Sequence, residues 1–103
     1  MTYQNVLTAL ADPTRRGIFE ALTDKPQSVR DIANDQTVSR PAVSQHLKIL
    51  QGANLVSARP KGKRHLYVVK RDGLNELRDY LDGFWSDALT AFSDEITRRN
   101  TSD

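Results

Sequence analysis

Residues 39–52 read SRPAVSQHLKILQG and combine a helix start signal with one apolar and one polar side. Ser39 is a favoured N-cap residue, and Pro41 is tolerated in a first helical turn. Three aliphatic residues recur at helical spacing and therefore share one side of the helix: Val43, Leu47 and Leu50. The opposite side has no carboxylate and consists of Pro41, Ser44, Gln45 and Lys48. We predict that this helix packs on a core through its apolar side and leaves its polar side for a partner.

The region around this helix is strongly basic. From Gln36 to Arg71 the chain has no carboxylate and eight cations, whereas the remainder holds seven basic and 13 acidic residues. The net charge of +2 therefore hides a dipolar distribution of charge. One-signed charge on a contiguous folded segment is typical of a polyanion binder. A basic face kept for solubility is the alternative, and the absence of every acidic residue over this length argues against it.

Three helices are predicted before residue 39. Apolar residues between positions 3 and 10 recur at helical spacing. Asp12-Pro13 is a start signal for a second helix, because a capping carboxylate precedes a proline at the first helical position. Ser28 with Asp31 three residues later is typical of a capping box and predicts a short third helix. A polar turn then separates the third and fourth helices, as in a helix-turn-helix.

Two β-type runs follow the fourth helix, at residues 55–59 and 65–69. The segment 60–64 between them is predicted to form the tip of a hairpin, with Gly62 free to adopt positive φ. Asp72 is then predicted to cap a long last helix that reaches about residue 99.

This order predicts a mainly α fold with a small β-hairpin, the winged helix-turn-helix, as one domain over residues 1–103. The helix-turn-helix would span 28–53, the wing 55–70 and a C-terminal dimerisation helix 72–99.

Size and composition narrow the possible functions. A chain of 103 residues can build one core but has little room for a deep enclosed active site, and it contains no nucleophile motif, so we expect no enzyme. The absence of cysteine excludes disulfides and thiolate metal sites. No secretory signal and no apolar run long enough to span a bilayer are visible, which predicts a cytoplasmic protein without membrane contact.

The sequence resembles the ArsR family of small dimeric winged-helix repressors. The residues that carry the resemblance are ALADPTRR at 9–16, the segment 39–52, Leu55-Val56, and the wing Gly62-Lys63-Arg64 that leads to Tyr67. The match extends from about residue 6 to residue 96. It implies a homodimer, formed by the first and last helices, that binds an inverted-repeat operator and usually represses.

Two departures from this family concern metal sensing. Metal-sensing members carry Cys-x-Cys before an Asp-Leu pair in the third helix, where this chain has Ser28-Val29-Arg30 before Asp31-Ile32. Other members bind zinc through Asp and His on the last helix, but the only histidines here are His46 and His65. We therefore expect no metal site and no cofactor. The family often has Gly where this chain has Asn54, which also tolerates the left-handed backbone at a helix end.

The polar side of the fourth helix supplies the predicted groove contacts. Gln45 can bond adenine in two places, Ser44 can bond most base edges, and Lys48 can reach guanine or phosphate. Ser39 and Arg40 flank this side and are expected to contact phosphates. The predicted DNA-binding residues are Ser39, Arg40, Pro41, Ser44, Gln45, His46, Lys48, Lys61, Lys63 and Arg64.

Several of these assignments have alternatives. His46 lies near the apolar side of its helix, so it could be a partly buried structural residue, or it could contact the edge of the DNA as the family resemblance implies. The basic hairpin tip, to which His65 can be added, could lie along phosphates or a minor groove, or could be a solvated turn. Arg15 and Arg16 begin a helix, where cations oppose the dipole, which suggests either phosphate contact or simple solvation.

The last helix carries more apolar residues than one small body can cover. Aromatic and aliphatic side chains form two adjacent rows along it, and the region from Asp72 onward is acidic, with three basic and eight acidic residues. A second copy would cover these rows and match a two-fold operator. The predicted dimer interface consists of Tyr3, Val6, Leu7, Leu81, Phe84, Trp85, Leu89 and Phe92.

Two other functions remain open. A winged helix can act as a protein-interaction module, in which case the aromatic last helix would bind a different partner. Alternatively, a small molecule could bind in a pocket at the dimer interface, lined by Phe84, Trp85 and Phe92, and switch DNA binding.

Overall fold

The computed structural model describes residues 2–101, so residues 1, 102 and 103 of the predicted domain lie outside the described part. Seven elements follow one another: α1 (Thr2–Ala11), α2 (Pro13–Asp24), α3 (Val29–Gln36), α4 (Arg40–Gly52), β1 (Val56–Lys61), β2 (Arg64–Val69) and α5 (Arg71–Thr101). β1 and β2 form one antiparallel sheet. The predicted fold class, a mainly helical winged helix-turn-helix with a long last helix, is therefore confirmed.

The predicted starts of α2, α3 and α4 are present. The Asp12 carboxylate accepts a hydrogen bond of 2.8 Å from the backbone N–H of Arg15, and Pro13 opens α2. Ser28 and Asp31 form the reciprocal capping box of α3, each side chain accepting a bond of 3.2 Å from the other residue's backbone N–H. The Ser39 hydroxyl accepts from the backbone N–H of Ala42 at 3.3 Å. These bonds satisfy N–H groups that have no partner within the helix.

The ends of α3 and α4 both use left-handed backbone at a residue other than glycine. Thr37 (φ 55°) ends α3, and Asn54 (φ 58°) follows α4, as predicted for Asn54. After α4 the N–H of Leu55 bonds to the Leu50 carbonyl and that of Asn54 to the Gln51 carbonyl, both at 3.0 Å. This pair of bonds is a Schellman motif, which stops the helix and turns the chain into β1.

The core contains side chains from α1 to α4 and from the start of the hairpin. Its buried apolar residues are Val6, Ala9, Ile18, Phe19, Leu22, Ile32, Val43, Leu47, Leu50, Ala53, Leu55 and Val56. The prediction for Val6 is therefore corrected: its side chain is fully buried in its own chain, so it belongs to the core and not to an exposed dimer surface. Helical spacing gave its side of α1 correctly but could not tell which neighbour covers that side.

The hairpin is longer and tighter than predicted. The strands continue through the predicted tip until Lys61 pairs with Arg64, which leaves a two-residue turn of Gly62 and Lys63. Gly62 has a φ of 63°, as expected, and positive φ at the first turn position is what type II′ turns require. The proline at position 60 did not end β1, because both strands of a two-stranded sheet are edges and a missing N–H is tolerated there.

Helix α5 begins at Arg71, so Asp72 lies within its first turn and not at the predicted cap position. Its 31 residues make it about 46 Å long at about 1.5 Å per residue. Leu74 and Leu77 pack against the core, whereas every residue from Leu81 to Asp94 is exposed. The helix thus extends well beyond the body that it joins, which gives the chain its 72 × 24 × 23 Å dimensions.

Gly73 joins the start of α5 to the end of α4. Its N–H donates to the Asn54 carbonyl at 2.8 Å, and an added Cβ would overlap the Ala53 carbonyl oxygen. We expect Gly73→Ala to lower the free energy of unfolding by about 1–3 kcal/mol, because backbone atoms must move to admit the methyl group. Gly83→Ala is the matched control: nothing lies within 4 Å of its Cβ, and alanine favours a helix interior. Urea unfolding of both variants checks this, and equal or higher stability of Gly73→Ala contradicts it.

The caps of α2 and α3 predict how stability responds to acid. The backbone N–H of Ser28 lowers the pKa of Asp31, with the Ser28 hydroxyl adding to the effect, and the backbone N–H of Arg15 lowers the pKa of Asp12. A carboxylate with a lowered pKa in the folded state stabilises the fold at neutral pH, and this contribution disappears as the pH falls through that lowered pKa.

We therefore expect Asp31→Asn to be less stable than the parent near neutral pH and to lose less stability between about pH 6 and pH 3. Thermal unfolding across this range is the measurement. Asp87→Asn is the control, because Asp87 makes no side-chain hydrogen bond among the described residues. Parallel pH profiles for Asp31→Asn and the parent would show that this cap does not contribute to the acid response.

Candidate nucleic-acid interface

One exposed side of α4 carries most of the predicted groove contacts. The apolar residues Val43, Leu47 and Leu50 have no exposed surface, which fixes the orientation of the helix on the core. The opposite side is exposed along the whole helix and its cap, at Ser39, Arg40, Pro41, Ser44, Gln45 and Lys48. The structure therefore brings these six predicted residues onto one surface that has no carboxylate.

His46 lies beside this surface and contacts α2. Its ring is half-buried, and its Nδ1 lies 3.4 Å from the Nη1 of Arg15. A guanidinium has no acceptor, so in a hydrogen bond between these atoms Arg15 would be the donor. His46 therefore contacts Arg15 within the chain, as expected for a partly buried structural residue. A contact between His46 and the edge of the DNA stays a prediction.

Arg15 and Arg16 have a role that sequence analysis did not find. Arg15 donates to the carbonyls of Ala9 (2.6 Å) and Thr8 (3.1 Å), and Arg16 donates to that of Leu10 (3.1 Å). These carbonyls lie in the last turn of α1, where oxygens lack partners and the helix dipole is negative. The two cations oppose the dipole of α2 but complement that of α1. Spacing along the chain could not show this, because the complementary end belongs to the preceding helix.

The wing places its cations at the tip of the hairpin. Lys61, Lys63, Arg64 and His65 are all exposed, and Lys61 pairs with Arg64 across the turn. We call residues 36–71, which contain no Asp or Glu, the acid-free segment. Among the described residues, the only salt bridge that involves this segment joins Lys70 to Asp72 at 3.8 Å. The cations of α4 and of the hairpin tip therefore have no carboxylate partner on the described chain.

Gln27 fixes the wing to the helical body. Its backbone N–H donates to the Tyr67 carbonyl at 3.2 Å, and the N–H of Tyr67 donates back at 2.8 Å. The Gln27 side chain is buried and donates to the Ala21 carbonyl at 3.1 Å. Sequence analysis missed this residue, because a single bridge between backbones leaves no periodic pattern in the side chains.

The predicted dimer residues occupy α1 and the projecting part of α5. Six of them are large exposed apolar residues: Leu7, Leu81, Phe84, Trp85, Leu89 and Phe92. Trp85 has 67% of its surface exposed. Tyr3 is half-buried and stacks on Tyr80 with ring centroids 4.0 Å apart, so it joins α1 to α5 within the chain.

Metal sites and membrane spans are two further features to consider in the described residues. Within residues 2–101, no group of three or more His, Cys, Asp or Glu side chains could hold a metal ion. No helix in the same range combines the length and apolarity that crossing a bilayer requires.

Comparison with known proteins identifies the family of the chain. Residues 12–58, which include the helix-turn-helix, match the family described as "Bacterial regulatory protein, arsR family". The chain is 52% identical over 88 residues to the HTH-type transcriptional regulator Rv2034 of Mycobacterium tuberculosis, covering 85% of this chain and 82% of that protein. It is 34% identical over 82 residues to the transcriptional repressor SdpR of Bacillus subtilis, covering 76% and 91%.

Solved structures agree with the sequence relatives. An ArsR-like transcriptional regulator from Rhodococcus sp. RHA1 superposes with a TM-score of 0.75 at 29% identity, covering 90% of this chain and 91% of that one. The homodimeric winged helix-turn-helix DNA-binding domain of Mb0332 from Mycobacterium bovis superposes with a TM-score of 0.67 at 26% identity, covering 84% and 79%. Members of this family are transcriptional regulators and not enzymes. The chain belongs to the ArsR family of DNA-binding transcriptional regulators and repressors.

Proposed function

We propose that the protein is a homodimeric repressor that binds an inverted-repeat operator and blocks transcription by occupying promoter DNA. The observation that carries this proposal is the exposed polar side of α4, which has no carboxylate and lies on the same chain as an unpaired basic wing. The chain would act as one winged helix-turn-helix domain, with its helix-turn-helix, wing and dimerisation helix at 28–53, 55–70 and 72–99. Its place of action would be the cytoplasm.

Each predicted DNA contact has a distinct task in this proposal. Ser44, Gln45 and Lys48 enter the major groove and bond to base edges, because their hydroxyl, amide and ammonium groups match the donors and acceptors there. Ser39 and Arg40, at the start of α4, bond to phosphates and set the position of the helix on the duplex. Pro41 packs beside them, and His46 lies at the margin of the groove. Lys61, Lys63 and Arg64 place the wing along the flanking backbone.

Dimerisation would occur through α1 and the projecting part of α5. Exposed aromatic and aliphatic residues continue along α5 far beyond the core, and a monomer rarely exposes such a surface. A two-fold pair of these helices would set the spacing between the two copies of α4, and a two-fold dimer matches an inverted repeat. The homodimeric relative from M. bovis supports dimerisation.

We also propose that the signal that releases the operator is not a thiolate-bound metal, or that no effector exists. The chain has no cysteine, and α5 has no histidine. A metal ion that binds in a stoichiometric amount and changes operator affinity would contradict this part of the proposal.

Removal of cations from the interface should weaken DNA binding and its salt dependence. We expect Lys48→Ala, and a Lys63→Ala/Arg64→Ala double variant, to lower affinity for the gene's upstream DNA. Each lost phosphate contact should reduce the slope of log affinity against log salt by about 0.9. Fluorescence anisotropy over a salt series is the measurement. Arg78→Ala on α5 is the control, because it removes one exposed cation outside the acid-free segment.

Unchanged affinity and slope in both interface variants would remove these residues from the site. If the parent protein binds no promoter fragment even at low salt, the DNA-binding proposal itself fails. A protein-interaction role for the α5 surface would then be favoured.

The dimer proposal is tested by a charge on the exposed apolar side of α5. We expect Leu89→Glu to weaken the dimer at least tenfold, because the new carboxylate would be buried without a partner. It should not unfold the chain, since 64% of the Leu89 surface is exposed. Sedimentation equilibrium measures the association, and circular dichroism checks the fold. Thr90→Glu is the control, because Thr90 lies about 100° around the helix from Leu89 and away from the row of apolar residues. A monomeric parent, or an unchanged dimer in Leu89→Glu, contradicts the proposal.

A further inference from the structure

A cleft of about 330 Å³ lies between the start of α3, the start of α4 and strand β2. Three arginines, one from each of these elements, contribute to its lining: Arg30, Arg40 and Arg64. Ser28, His65 and Tyr67 complete most of the remaining wall. We call this the arginine cleft.

The three guanidinium groups have no described carboxylate or hydrogen-bond partner. None of them forms a salt bridge or a side-chain hydrogen bond among the described residues, and all three side chains are exposed. The carboxylate of Asp31 is the acidic group close to this region. It accepts the backbone N–H of Ser28 at 3.2 Å, so it is already used to cap α3, and its interaction with Arg64 contributes less than that cap. The cleft therefore contains three cationic side chains without a salt bridge, and such a set can bind an anion.

The walls of the cleft are held in place by bonds outside it. Tyr67 exchanges two backbone hydrogen bonds with Gln27, the residue before Ser28, which fixes β2 against the start of α3. The left-handed Thr37 and the Ser39 cap fix the short turn from α3 to α4. A preorganised set of cations loses less entropy when it binds a ligand than cations on flexible segments do.

We propose that the arginine cleft binds one phosphate group of the DNA backbone, and that Arg30 is a DNA-binding residue beyond those of α4 and the wing. Guanidinium groups match phosphate oxygens with paired, directional N–H donors. The position of the cleft favours the DNA backbone over a free anion. Arg40 is the first residue of α4, the proposed groove-binding helix, and Arg64 is the first residue of β2, next to the tip of the wing. A phosphate in the cleft would hold the strand between these two contacts. This inference rests on the proposed function.

The first test compares the salt dependence of DNA binding by the parent protein and three variants. We expect Arg30→Ala to lower the slope of log affinity against log salt by about 0.9, the value for one phosphate. The loss of affinity should be similar on promoter DNA and on an unrelated duplex, because phosphate contacts carry no base information. Arg30→Lys should restore most of the slope, since it retains the charge. Arg78→Ala should leave the slope unchanged.

The second test separates backbone phosphate from free phosphate. Inorganic phosphate and a simple phosphomonoester are titrated into the protein–DNA complex, with chloride adjusted to keep ionic strength constant. We expect no more displacement of DNA than in the chloride control. Displacement by the phosphomonoester that Arg30→Ala abolishes would overturn the backbone assignment and give the cleft to a free ligand.

The outcomes also distinguish this inference from the proposed function. If the parent binds DNA and Arg30→Ala retains the full salt slope and affinity, the cleft assignment is wrong while the repressor proposal stands. If the parent binds no DNA at any salt concentration, the proposed function fails first.

Discussion

The docking of α4 through Val43, Leu47 and Leu50 is the constraint on which the rest of the structure depends. Complete burial of one aliphatic side chain is worth about 1.5–3 kcal/mol, so these three residues determine which side of the helix is covered. The side that remains exposed then consists of hydroxyl, amide and cationic groups. Had the apolar row been rotated by one residue, the same composition would have buried the polar groups that we propose to contact DNA.

Charge distribution extends this division to the whole chain. The acid-free segment includes α4 and the complete hairpin, whereas the acidic residues lie mainly on α5 and around the first three helices. A DNA duplex is attracted to the acid-free segment and repelled by the acidic part of α5, which would orient its approach before any specific contact forms. The cations of α4 and of the hairpin tip form no salt bridge within the described residues, which preserves their capacity to displace counterions from DNA.

The features that could be predicted from the sequence are those set by local chemistry. Asp12, Ser28 and Ser39 cap helices through bonds to residues three positions away, so their patterns are visible in the chain itself. Features that depend on distant neighbours were missed or misplaced. Val6 is covered by its own core, and Gln27 acts through its backbone on a strand about 40 residues later. The DNA contacts are predicted from residue type and from the exposed side of α4, and they stay proposals.

The hydrogen bond from Gly73 to Asn54 also bears on how movements of α4 and α5 are coupled. At that point the backbones of α4 and α5 touch, with no room for even a methyl group between them. A displacement of the start of α5 towards this point would therefore also displace the segment that ends α4. Pivoting a helix about 46 Å long by roughly 5° displaces its far end by about 4 Å. In the proposed dimer, a change in how two copies of α5 cross would then shift the end of α4.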